Sequence, residues 1–160
     1  MKKEREIDLI DKKILNVIQR QGRIPLVDLA REVNLSKSPC YQRLKRLEAQ
    51  KYIRGYKADL DPNKISSGYL VYVQVKLAST KRAALEGFNK AVKDIPQILT
   101  CNMLSGGYDY LLKVRTRDME EYRELLGDVI SELPSVNQTS SFPVMEQVKE
   151  TTELRIPGLD

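Results

Sequence analysis

The sequence has no histidine and no tryptophan, and it has only two cysteines and two phenylalanines. Without His, imidazole metal sites and the His-based acid–base and nucleophile-activating pairs of many hydrolases drop out. Cys40 and Cys101 stand singly inside apolar periodic segments, which reads as buried thiols rather than as a disulfide or a metal site. No cofactor and no metal are expected. No apolar run approaches the roughly 20 residues of a membrane span, and the start Met1-Lys-Lys-Glu-Arg-Glu lacks the apolar segment of a signal peptide. A cytoplasmic location away from any membrane is therefore expected. Acid is scarce in one stretch: from Lys37 to Lys57, Glu48 is the only carboxylate, set against Lys37, Arg43, Lys45, Arg46, Lys51, Arg54 and Lys57.

What is present is a chain of 160 residues, 41% hydrophobic and 31% charged, enough for one domain or two small ones. Its net charge of +5 is unevenly placed. Residues 1–60 carry 15 Lys/Arg and 8 Asp/Glu, whereas residues 61–160 carry 12 and 14. A basic half joined to a slightly acidic one points to a nucleic-acid reader that carries something else.

The first half reads as helices. Residues 8–21 place Ile10, Ile14, Val17 and Ile18 on one face, with Asp8 as N-cap and Gly22 as stop. Residues 26–33 form a short helix with Leu26, Leu29, Ala30 and Val33 inward. Asn34 tolerates the left-handed conformation of a sharp turn, and Leu35 plugs the corner. The third helix is the one the chain is built around. Ser38 is its expected cap and Pro39 suits its first turn, while Cys40, Leu44 and Leu47 make its apolar stripe. Tyr41, Gln42, Lys45 and Arg46 are thereby expected to point outward, as groove-reading and phosphate-seeking groups would. Short helix, tight turn and longer basic helix make a helix-turn-helix. Lys51-Tyr-Ile-Arg-Gly-Tyr-Lys57 alternates polar with apolar as a small basic β-wing would. A generic three-helix unit stays open as the alternative.

The turn-rich stretch 59–68 is the expected linker between a DNA-binding domain over 1–58 and a second domain over 69–160. In the second domain the period changes to that of strands at 69–77, 98–104, 108–115 and 136–145. Helices are expected at 82–93 and 118–130, the latter with Met119, Tyr122, Leu125, Leu126 and Val129 inward. The fold class is α+β, and the β-α-β-β-α-β order is ferredoxin-like. Leu70 and Tyr72 oppose Val71 and Val73, and Leu111 opposes Leu112. Strands apolar on both faces are covered on both, so a homodimer packing its open sheet faces together is expected.

Six stretches in order carry a family resemblance: Ile7-Asp-Leu-Ile-Asp-Lys-Lys-Ile-Leu15, Gly22-Arg-Ile24, Ser38-Pro-Cys-Tyr-Gln-Arg-Leu-Lys-Arg-Leu-Glu48, Tyr52-Ile-Arg-Gly-Tyr56, Leu104-Ser-Gly-Gly-Tyr-Asp-Tyr-Leu-Leu112 and Leu133-Pro-Ser-Val136. Across residues 6–150 the chain resembles the Lrp/AsnC family of leucine-responsive, or feast/famine, regulators. The resemblance implies a winged helix-turn-helix, a hinge and a ligand-sensing domain. It also implies dimers that assemble to tetramers, octamers or larger rings, with an amino acid bound between dimers. The partners implied are double-stranded DNA and a small amino acid. Ser36, Lys37, Ser38, Tyr41, Gln42, Arg43, Lys45, Arg46, Lys51, Arg54 and Lys57 are the expected DNA-binding residues.

The family's ligand loop falls on Gly106, Gly107, Tyr108 and Asp109, with Gly107 where some members carry an acid. Gly106 and Gly107 leave backbone N–H groups open to an α-carboxylate, Asp109 offers an α-ammonium its counter-charge, and Tyr108 walls the pocket. A plain hairpin turn explains the two glycines with no function at all, and on the loop alone it is the favoured reading. In the last strand the pocket-facing positions fall at Thr139, Ser140 and Ser141. Two rival readings of the chain stand beside the regulator. One is an architectural DNA binder whose second domain only oligomerises. The other is an enzyme using Asp109, which lacks any companion catalytic group.

Overall fold

Asp8 starts the first helix, α1 (Leu9–Arg20), by a reciprocal cap. Its carboxylate accepts the Asp11 N–H at 2.9 Å while the Asp11 carboxylate accepts the Asp8 N–H at 3.1 Å. The computed structural model describes residues 6–159. The opening five residues and Asp160 therefore lie outside the described residues, and with them part of the signal-peptide reading and the outer limits of both expected domains. After α1 come α2 (Leu26–Glu32) and α3 (Lys37–Ala49). Asn34, at φ 56°, makes the turn between them, and the Leu35 N–H reaches the Ala30 carbonyl at 2.8 Å. Ile14, Ile18, Leu29, Ala30, Val33, Cys40 and Leu47 form the buried core of this unit. At roughly 1.5–3 kcal/mol for each large apolar side chain, their burial is the main force holding the three helices together.

Two local expectations fail at α3 and just beyond it. The N-cap of α3 is Ser36, without a side-chain cap bond, so Ser38 and Pro39 lie inside the first turn. The first turn's N–H groups have no helical acceptor, which lets proline sit anywhere within it. Residues 51–57 form no strand. They instead close the C-terminus of α3: Lys51, at φ 63°, donates its N–H to the Glu48 carbonyl at 3.0 Å, and the Tyr52 N–H donates to the Leu47 carbonyl at 3.0 Å. The turn-rich stretch 59–68 folds back on itself through local hydrogen bonds. The Asn63 N–H bonds the Asp61 carboxylate at 3.0 Å and the Ser67 N–H bonds the Pro62 carbonyl at 2.8 Å.

The chain divides into two units, one made of residues up to 59 together with 149 onward, the other of 60–148. The C-terminal segment therefore sides with the helices of the first unit, not with the sheet as a 69–160 domain would have it. Its backbone lies along α1. Gln19 Nε2 donates to the Leu154 carbonyl, the Leu154 N–H donates to Gln19 Oε1, both at 2.9 Å, and Lys12 Nζ reaches the Pro157 carbonyl at 2.7 Å.

In the second unit β1 (Tyr69–Leu77), α4 (Arg82–Ala91), β2 (Ile98–Met103), β3 (Tyr110–Thr116), α5 (Met119–Glu124) and β4 (Val136–Pro143) follow in the expected order. The antiparallel sheet has the order β2-β3-β1-β4. Val71, Val73, Val75 and Leu77 of β1 pack with Leu112 and Val114 of β3 and with Phe88, Tyr122, Leu125 and Ile130 from the helical segments. The register places Tyr72, Leu111 and Phe142 on the opposite side of the sheet. Phe142 is half-exposed there.

The helical segment after β3 departs from the expected inward face. Met119 and Val129 are exposed, while Ile130 is fully buried. Residues Leu125–Ile130 take π-helical turns, and the Ser131 N–H bonds the carbonyl of Leu126 five positions back. A wider turn rotates every later residue relative to the 3.6-residue period, so 130 takes the inward place that the period assigns to 129.

Candidate nucleic-acid interface and effector loop

The basic surface of the first unit is built on α3. Ser36, Lys37 and Ser38 are exposed at its N-terminal end, followed by exposed Tyr41, Gln42 and Lys45. Lys45 Nζ stands 5.7 Å from the Tyr41 ring centroid and bonds Glu48 at 2.8 Å. That bond raises the Lys45 ammonium above its ordinary value and lowers the Glu48 carboxyl. Glu48 also accepts the Tyr56 hydroxyl at 2.9 Å. Burial first, then Glu48, pushes the Tyr56 phenol up to about 12. The lone carboxylate of the basic stretch therefore ties the helix to the segment after it. Lys51, Arg54 and Lys57 are exposed along that segment.

Two of the expected DNA-binding residues turn the other way. Arg43 Nη1 bonds Asp8 at 2.6 Å and Asp11 at 2.9 Å, and Arg46 Nη2 bonds the second oxygen of Asp11. Asp11 is fully buried. A guanidinium shared with a buried carboxylate is held by charge-assisted bonds that an outward rotamer would break. Arg43 and Arg46 therefore belong to the α1–α3 junction, not to the outward face. For Asp8, burial alone would raise the carboxyl. The Arg43 bond and charge and the Asp11 N–H together outweigh it, and the pKa falls from 3.8 to about 2. Asp8 and Asp11 were absent from the expected site. The available signal was an Asp in step with Ile7, Ile14 and Ile18, where an apolar residue would ordinarily stand.

In the second unit the loop between β2 and β3 carries Gly106 and Gly107, both exposed and without positive φ. A Cβ added at either would meet nothing within 4 Å, so neither glycine is imposed by crowding or by a left-handed turn. Tyr108 and Asp109 are half-buried. Asp109 closes the loop: its N–H donates to the Val75 carbonyl at 2.9 Å and its Oδ2 accepts the Leu77 N–H at 2.7 Å. One of its oxygens is thus spent on the backbone of β1.

Thr139, Ser140 and Ser141 do not line one pocket. Thr139 and Ser141 pair with Val75 and Val73 and share their helix-covered side, whereas Ser140 pairs with Gln74 on the open side. Successive strand residues face opposite ways, which forbids three in a row on one wall. Ser141 Oγ is hydrogen-bonded to the Tyr122 hydroxyl. Thr139 lies level with Val75, two strand spacings or about 10 Å from β3 and the base of the loop. Among the described residues no group of three or more His, Cys, Asp or Glu could hold a metal, and no helix is long and apolar enough to cross a membrane.

Two family models match the chain: a winged helix-turn-helix DNA-binding domain over residues 7–54 and an Lrp/AsnC ligand binding domain over 70–154. A proline dehydrogenase transcriptional activator of Rhizobium radiobacter is 47% identical over 91% of this chain and 94% of its own length. The leucine-responsive regulatory protein of Escherichia coli K12 is 43% identical over 95% of this chain and 93% of its own. A transcriptional regulator from Neisseria meningitidis, solved as an L-Met complex, superposes with a TM-score of 0.89 at 35% identity, covering 94% of this chain and 97% of its own.

Proposed function

Because this chain belongs to the Lrp/AsnC family of DNA-binding transcription regulators, we propose that it reads double-stranded DNA with α3 and changes that binding when an amino acid occupies the β2–β3 loop. The observation that carries the first part is the exposed row Ser38, Tyr41, Gln42 and Lys45 on a helix whose other side is locked to α1. Gln and Lys suit base edges and phosphates respectively. Lys51, Arg54 and Lys57 extend the cationic surface and meet the backbone of the duplex. The protein acts in the cytoplasm, with the DNA it regulates.

The second part is supported by Gly106, Gly107 and Asp109. Open glycine backbone offers N–H groups to an α-carboxylate, and the Asp109 charge meets an α-ammonium while its Oδ2 holds Leu77. A related regulator was solved with L-Met, which makes free amino acids the first effectors to try. The open sheet face bearing Tyr72, Leu111 and Phe142 supports a homodimer, and further assembly of dimers would put the exposed loop at a boundary between subunits.

A thermal-shift screen of the free amino acids, followed by operator affinity and particle mass for any hit, tests this reading. Asp109→Asn keeps an acceptor for Leu77 and removes the charge. It should fold, bind DNA and lose the shift. A wild-type response from Asp109→Asn would move the ammonium partner elsewhere. No response from the wild type to any amino acid would favour an architectural DNA binder.

A further inference from the structure

We propose that Asp11 is a positioning residue for the recognition helix, and that Arg43 and Arg46 serve sequence recognition through it rather than by touching DNA. This rests on α3 being the helix that enters the groove. The Asp11 side chain is 1% exposed and its two oxygens are divided between the two guanidiniums. Oδ1 accepts Arg43 Nη1 at 2.9 Å; Oδ2 accepts Arg46 Nη2 and the Asp8 N–H. Arg43 Nη1 also bonds Asp8 Oδ2 at 2.6 Å.

The two arginines are three residues apart, so they rise from adjacent positions along one helix face. A single carboxylate on α1 therefore holds α3 at two points along its axis. One contact would let the helix roll about its own axis; two charge-assisted contacts, one from Arg43 Nη1 and one from Arg46 Nη2, resist it. The roll matters because Tyr41, Gln42 and Lys45 turn with the helix. Side-chain tips lie roughly 5–6 Å from a helix axis, so a roll of about 20° carries them about 2 Å, beyond the tolerance of a hydrogen bond. Two carboxylates and two guanidiniums also cancel in charge, so the cluster adds little to the attraction for phosphates. It sets the aim of the helix and leaves the non-specific attraction to the exposed lysines.

The test uses the full-length protein, a duplex selected by the wild type from a random pool, and an unselected duplex of the same length. Affinity is measured for both across a salt series, with thermal unfolding recorded for each variant. Arg46→Met keeps the aliphatic stem and removes the guanidinium with its bond to Asp11. It should lose about tenfold or more on the selected duplex, stay within about twofold on the unselected one and keep the salt slope of the wild type. Arg43→Met, which likewise removes the guanidinium and its Nη1 bonds to Asp8 and Asp11, should show the same pattern, and it serves if Arg46→Met fails to fold. Equal loss on both duplexes with a slope smaller by about one unit would make the arginine a phosphate contact and overturn the proposal. Unchanged affinity on the selected duplex would overturn it as well. Lys45→Ala is the comparator. If it leaves both duplexes unaffected, α3 is not the reading helix and the proposal falls with that premise, whereas a loss at Lys45 without one at Arg46 or Arg43 refutes the positioning alone.

Discussion

Gln19 grips Leu154 by both of its backbone polar groups: the amide nitrogen gives a bond to the Leu154 carbonyl, and the amide oxygen takes one from the Leu154 N–H, each at 2.9 Å. A side-chain amide used this way imitates the edge of a strand, so an extended segment is held to a helix that has no free backbone edge of its own. Each such bond on an exposed surface is worth no more than about 0.5–1.5 kcal/mol. Gln19→Ala should therefore release the segment without unfolding the unit. Trypsin cleavage after Lys149 and Arg155 should speed up several-fold while the melting temperature moves little. An unchanged cleavage rate would mean that Gln19 does not hold the segment.

A separation of base reading from phosphate binding is expected along α3 and just beyond it. Gln42→Ala should cost about 1–3 kcal/mol on a matched site and relax sequence preference. Lys51→Ala should weaken all duplexes alike and lower the salt slope by about one unit. Identical behaviour of the two on matched and random DNA would remove Gln42 from the groove.

Acid should find Asp8 late. Its folded pKa lies near 2, below the ordinary 3.8, so the stability its charge contributes is complete above about pH 4 and fades as the pH falls toward 2. Urea unfolding of the wild type and of Asp8→Asn should show a constant gap from pH 6 to 4 that closes between 4 and 2. A gap that persists unchanged at pH 2 would show that the contribution is not ionic.

The π-helical turns predict a one-residue displacement in sensitivity. Ile130→Ala should destabilise the second unit by about 2–5 kcal/mol, whereas Val129→Ala should fall within about 0.5 kcal/mol of the wild type. Chemical denaturation of both variants decides it, and the reverse order would restore a regular helix through this segment.

The elements that the sequence made legible are those with a strong period. The β1 alternation of valines, the Cys40–Leu47 stripe and the Asn34 turn lie where pattern and backbone preference agree. What escaped is what a period cannot carry. The inward turn of Arg43 and Arg46 depends on a carboxylate 32 and 35 positions earlier, and an arginine on a basic helix looks alike whether it faces phosphate or a buried Asp. The π-turn at Leu125–Ile130 hides because wider turns use the same residues as ordinary ones. At the loop, sequence marked Asp109 as charged but not that the Leu77 N–H already claims one oxygen. The run Thr139–Ser141 looked like one polar patch, and the pleat splits it between two faces.

The placement of the C-terminal segment on α1 has a consequence for how the chain is made. The sheet unit comes from one uninterrupted stretch, 60–148, but the helical unit needs residues from both sides of it. At about 5–20 residues per second, ribosomal synthesis leaves roughly 4–18 s between the end of the first piece and the arrival of the second. Through that interval the outer face of α1, with Lys12 and Gln19, stands bare, and it is covered only once the entire sheet unit has been synthesised.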